Sequence, residues 1–152
     1  MVTLPKIWPL DDRPGFLIRR LHQIHVSLFM EACAAFRVTP LQYSLLSALA
    51  DVGAADQTTL ATMVALDRTT TTGALKRLQA RGLIRRERGK TDRRSHLSAL
   101  TDAGRDLLVA MEPAARHAHA DTLAGLDEAE IAAFIAMMKR LAAAHADRRG
   151  EV

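Results

Sequence analysis

The chain is short of the residues on which several kinds of protein depend. It has a single cysteine, so no disulfide can form within it. No run of 18 apolar residues occurs, which argues against a membrane-spanning helix. The opening stretch MVTLPKIWPLDDRPG carries charges where a secretory leader needs an apolar segment, so a cytoplasmic location is expected. There is no glycine-rich phosphate loop, no nucleophile elbow and no HExxH pair; neither catalysis nor a cofactor is expected. Aromatic residues are scarce, with one Trp, one Tyr and four Phe among 152 residues, while Ala, Leu and Arg dominate and favour helices.

What the chain does have is unevenly placed charge. The formal net charge is +4. Between Arg68 and Arg94 stand ten basic residues against Glu87 and Asp92, or +8 in 27 residues, while the rest of the chain has 11 basic and 15 acidic residues. Segregation on this scale suggests a polyanion docking on one region. Cys33, within LFMEACAAF, reads as a small buried hydrophobe rather than a reactive thiol.

Apolar spacing predicts a first long helix over Pro14 to Phe36, with Leu17, Leu21, Ile24 and Leu28 on one stripe. A second begins with Pro40 near its first position, buries Leu41, Leu45, Ala48 and Leu49, and stops at Gly53. A short helix follows, with Thr58 as its cap and Leu60, Met63 and Val64 turned inward. Asp67 then caps RTTTTGALKRLQARG, whose Thr71, Leu75 and Leu78 share a face. Leu83 to Arg88 and SHLSAL, with Leu97 and Ala99 on one side, read as two strands of a hairpin with a basic tip. Thr101 caps a further helix, which Pro113 should kink or split, and Asp127 with Glu130 opens the last. A helix, turn and helix followed by such a hairpin is a winged helix. The terminal helices are apolar over more surface than one core could cover, which predicts a homodimer.

Four threonines and Gly73 in succession forfeit roughly 3 kcal/mol of helix preference relative to alanine. Their outward neighbours Arg68, Lys76 and Arg77 suggest why they stand there. Small hydroxylated side chains at Thr69, Thr70 and Thr72, with nothing at Gly73, let a helix lie close in the major groove. Arg93 or Arg94 at the hairpin tip can reach an adjacent minor groove.

The stretches TPLQYSLLSAL and TTLATMVALDRTTTTGALKRLQARGLIRRERGKTDRRSHLSALTDAG together resemble the MarR family of bacterial transcription regulators, over about residues 14 to 145. The resemblance implies a mainly α fold with a small β-wing. A winged helix-turn-helix at 37–100 would be flanked by a helical dimerisation region at 1–36 and 101–152. It implies a homodimer that binds a pseudo-palindromic double-stranded DNA operator. Thr69, Thr70, Thr72, Lys76 and Arg77 match the family's recognition helix, Thr58 and Thr59 its phosphate-contacting helix start, and Arg93 and Arg94 its wing. It further implies a repressor released by a small aromatic carboxylate or thioester, in a pocket that would include Phe16, Arg19, His22, Met30 and Tyr43.

Two other readings compete. A helical interaction protein could bind RNA or acidic proteins through the basic hairpin, although that region offers no aromatic side chain for stacking bases. A metal-responsive regulator could use His22 and His25 with His117 and His119, although no carboxylate or thiolate is placed by sequence to complete the site.

Overall fold

The computed structural model describes residues 7–89 and 96–148. Helix α1 spans Pro14–Ala32, and a 3-10 turn over Ala34–Phe36 replaces the expected last turn. The chain must reverse there: Cys33 leaves helical geometry and Arg37 takes a left-handed conformation at φ 55°. Helix α2, Pro40–Val52, is entered through a full capping box. Gln42 N–H donates to Thr39 Oγ1 at 3.2 Å, and Thr39 N–H donates to Gln42 Oε1 at 3.1 Å. Gly53 ends it at φ 80°, as expected.

Strand β1 is only Ala54–Ala55, too short to have a readable pattern. Helix α3, Gln57–Met63, is capped by Asp56 and not by Thr58. Either residue type can cap, but Asp56 Oδ1 takes the Thr59 N–H at 2.7 Å, which places Thr58 inside the first turn. Leu60 and Ala61 are the buried residues of α3, whereas Met63, expected inside, is 42 % exposed. Helix α4, Arg68–Ala80, follows a turn in which Ala65 takes φ 55°.

Strands β2, Ile84–Arg88, and β3, His96–Leu100, pair antiparallel with Ile84 opposite Leu100 and Arg88 opposite His96. The sheet order β1-β3-β2 puts β3 in the middle. Leu97 and Ala99 share one side of β3 as expected, but Ser98 and Leu100 on the other side are buried as well, so burial does not alternate. A central strand covered on both faces has no reason to alternate.

Helix α5, Asp102–Thr122, runs through Pro113 without splitting. The missing N–H frees the carbonyl of Val109, a residue 75 % exposed, where water can satisfy it. Helix α6, Glu128–Ala144, has the expected Asp127–Glu130 capping box. None of its residues is buried.

One apolar core joins these pieces, drawing Phe29 from α1, Leu45, Leu46 and Leu49 from α2, Leu78 from α4 and Met111 from α5. Cys33 is part of it, and burial pushes its thiol up from the ordinary value. No helix among the described residues is long and apolar enough to cross a membrane.

Candidate nucleic-acid interface and the adjoining hollow

The helix-turn-helix is α3, the turn through Ala65, and α4. Thr71, Ala74, Leu75 and Leu78 are buried and fix the rotation of α4 about its axis. Arg68, Thr69, Thr70, Lys76 and Arg77 are consequently exposed, with Thr72 and Gly73 half-buried beside them. Thr58 and Thr59 are exposed at the start of α3. The sequence-predicted face of α4 is thus brought together on one surface. Arg93 and Arg94 lie outside the described residues.

The threonines also have a local role that sequence reasoning missed. Asp67 Oδ1 accepts from Thr70 N–H at 2.7 Å, and Asp67 Oδ2 accepts from Thr70 Oγ1 at 2.6 Å. Those hydrogen bonds hold the Asp67 carboxyl below its ordinary value. Thr71 Oγ1 donates to the Asp67 carbonyl at 2.8 Å, and Thr72 Oγ1 donates to the Arg68 carbonyl at 2.7 Å. Three of the four hydroxyl protons are therefore engaged with the helix's own first turn. Their oxygens keep lone pairs, so Thr70 and Thr72 remain acceptors toward a partner. Back-bonding of this kind was available from the spacing of Thr71 and Thr72 to residues four earlier.

Not every arginine of the basic stretch faces outward for a ligand. Arg81 Nη1 and Nη2 donate to the carbonyls of Arg37 and Phe36 at 2.6 and 2.9 Å, satisfying groups left over where the chain reverses after α1. Arg85 donates to the Leu100 carbonyl at 2.5 Å and to Glu87 Oε1 at 2.6 Å, bracing the sheet. Arg86 and Arg88 on β2 are exposed.

The wing is seated on α5 by a close contact. Thr101 caps α5 and also donates its hydroxyl to the Gly82 carbonyl at 2.6 Å. A Cβ on Gly104 would stand 2.0 Å from the carbonyl oxygen of Leu83. Only glycine allows the first turn of α5 to lie against the entry to β2.

Behind the helix-turn-helix lies an open hollow of about 430 Å³. His25 and Phe29 of α1, Tyr43, Ser47 and Asp51 of α2, and His119 of α5 contribute to its wall, and Met63, Val64 and Ala65 of the turn close one side. Tyr43 Oη donates to Glu112 Oε2 at 2.7 Å, and Arg116 pairs with Glu112 at 2.8 Å. Burial first, then the bond to Glu112, push the Tyr43 hydroxyl up to about 12. The same bond holds Glu112 below the usual carboxylate range.

His25 Nδ1 lies 2.8 Å from Thr122 Oγ1, whose one proton is donated to the Ala118 carbonyl at 2.7 Å. Thr122 must therefore accept, Nδ1 carries a proton, and Nε2 of the neutral ring is left bare. Burial, then His119 and His22, lower the His25 pKa. The His25 ring stacks on that of His119 with centroids 4.7 Å apart.

Of the five residues expected at a ligand pocket, only Tyr43 lines this hollow. Arg19 instead stands 5.8 Å over the Phe16 ring, and His22 and Met30 are exposed. The signal for the actual wall was the spacing of Pro40, Ser44, Ser47 and Asp51 at four, three and four, a second stripe on α2 beside its apolar one. Among the described residues no group of three or more His, Cys, Asp or Glu side chains is placed to hold a metal ion.

The family model for MarR matches residues 38–96, the stretch from just before α2 to the start of β3. The transcriptional repressor NicR of Pseudomonas putida is 32 % identical over 146 residues, spanning 91 % of this chain and 92 % of that protein. The chain belongs to the MarR family. Its fold is the winged helix of solved MarR-family regulators. BpsR of Bordetella bronchiseptica, whose DNA binding is regulated by 6-hydroxynicotinic acid, matches with a TM-score of 0.84 at 32 % identity, over 90 % of this chain and 97 % of that one. The repressor CouR, solved on a 23-mer DNA duplex, matches with a TM-score of 0.81 at 30 % identity, over 92 % and 99 % of the two chains. These MarR-family relatives are transcriptional regulators.

Proposed function

We propose that the chain is a homodimeric repressor that reads a pseudo-palindromic operator with α4 and lets go when a small aromatic acid or thioester fills the hollow. The reading rests on the way α4 is turned: its apolar side is locked in the core, and Thr69, Thr70, Lys76 and Arg77 are left outside. Residues 37–100 supply the DNA-binding part and residues 1–36 with 101–152 the dimerisation helices, sharing the core between them. Thr58 and Thr59 would meet phosphate, and Arg93 and Arg94 would extend the contact at the wing. Phosphate neutralisation would provide most of the affinity and α4 most of the specificity.

The hollow supports ligand release because its wall includes the turn that orients α4. Phe29, Tyr43 and Val64 offer a wall for a planar ring, and a carboxylate could bind beside His25 once its bare Nε2 takes up a proton from solvent and donates it in a hydrogen bond. A ligand there would press on Met63, Val64 and Ala65 and so tilt α4 relative to α5. No catalytic role is assigned. A gel-shift series on the DNA upstream of the protein's own gene tests both halves, with hydroxylated aromatic acids and aromatic thioesters added in turn. A specific complex loosened by at least one compound is expected. A specific complex that none of them loosens would remove the ligand-release half and leave the DNA-binding half standing.

A further inference from the structure

Gly73 is the sixth residue of α4, well inside the helix, and its backbone is helical, so no unusual φ requires glycine. A Cβ built on it meets nothing within 4 Å, so no packing inside the chain requires glycine either. Alanine would make a better helix there and add no clash. Gly73 differs in this from Gly104, which the chain's own backbone demands. The reason for Gly73 therefore lies outside the chain, in something that comes close to its Cα. It stands on the face that carries Thr69, Lys76 and Arg77, and the partner of that face is DNA.

The chemistry around Gly73 narrows what approaches. Its N–H, deep in the helix, is committed to the carbonyl four residues earlier, so a phosphate finds no donor there. Thr72 beside it has its hydroxyl proton turned back to Arg68. A bare Cα and a neighbouring threonine methyl form a small apolar seat. In the major groove the apolar group on a base edge is the C5 methyl of thymine. We propose that Gly73 is the point of closest approach of α4 to its operator and seats a thymine methyl group, making it a specificity-determining residue. This rests on the DNA-binding reading of α4.

The test uses the full-length protein and a duplex it selects from a random pool. Each thymine of that duplex is replaced in turn by deoxyuridine, which removes only the methyl group. For the wild-type chain, replacement of one thymine in each half-site should weaken binding about fourfold, the value of one buried methyl group. Gly73→Ala should raise the melting temperature by about 2–4 °C. It should bind the parent duplex about tenfold or more weakly and show no further loss at that thymine. Undiminished binding by Gly73→Ala, or wild-type binding indifferent to every deoxyuridine, would overturn the proposal. If the wild-type chain selects no duplex at all, the DNA-binding reading falls and takes this inference with it.

Discussion

Gly104 and Gly73 make opposite demands, and the difference can be measured. At Gly104 an added methyl group collides with the Leu83 carbonyl oxygen, which belongs to backbone and cannot swing aside. Gly104→Ala should therefore destabilise the fold by about 1–3 kcal/mol, through strain at the junction of α5 and the wing. Chemical denaturation of the variant checks this, and unchanged stability would show that the junction can slide. The run of threonines likewise divides at this scale. Thr71 is a core residue held to the Asp67 carbonyl, whereas Thr69, among the described residues, has no internal hydrogen bond to its hydroxyl. Sequence spacing separated these two roles correctly, because a 3.6-residue period distinguishes inside from outside. It could not separate Arg81 and Arg85 from Arg77. All three are basic, in one stretch, and only the fold reveals which of them meet carbonyl groups of their own chain.

At the scale of elements, the helices were legible and the sheet only in part. Pro40 and the caps at Asp67, Thr101 and Asp127 precede apolar periods, and each starts a helix where those signals place it, whereas α3 is capped by Asp56 and not by the expected Thr58. The end of α1 was not readable, because the turn at Arg37 depends on carbonyl groups taken up by Arg81 from a distant element. Strand β1 escaped notice since two residues carry no period, and β3 does not alternate because Ser98, Ala99 and Leu100 are all buried, so both of its faces are covered. The bond from Tyr43 to Glu112 ties α2 to α5 across one side of the hollow. Tyr43 is the chain's single tyrosine, so its ionisation can be followed without interference. The tyrosinate absorbance should appear with a midpoint near 12 rather than at the ordinary value near 10. Because the folded chain holds this proton more firmly than the unfolded one, stability should fall as pH rises from the lower of those values to the higher. In Glu112→Gln the midpoint should drop part of the way and stay raised, since burial is the larger cause. A midpoint at the ordinary value in the wild-type chain would mean that Tyr43 is neither buried nor bonded to Glu112 in solution.

For the molecule as a whole, the α6 surface is the feature a single chain leaves unexplained. Met137, Met138 and Leu141 of α6 are 51, 43 and 62 % exposed, and Leu17, Ile18 and Leu21 of α1 are exposed as well. Large apolar side chains exposed in such number along two helices are normally covered. Leu141 is mostly exposed within one protomer, so Leu141→Asp should leave helical content intact and raise the dimer dissociation constant about tenfold or more. Sedimentation equilibrium reads this, and an unaltered dimer would place the interface elsewhere. The candidate DNA face was legible in the sequence because charge and threonine content mark it directly. The hollow was not, since its wall is assembled from four separated segments and its clearest signal, the Ser44–Ser47–Asp51 spacing, is equally that of a solvated face.

The central claim is that the outward side of α4 holds duplex DNA, and the salt dependence of binding tests it most directly. Affinity for the selected duplex, measured by fluorescence anisotropy across a salt series, should fall steeply for the wild-type chain. For Lys76→Ala/Arg77→Ala, folded and dimeric as before, affinity should drop about tenfold or more, with a slope shallower by about 0.9 for each phosphate no longer neutralised. Equal affinity and an equal slope in the two proteins would contradict the account.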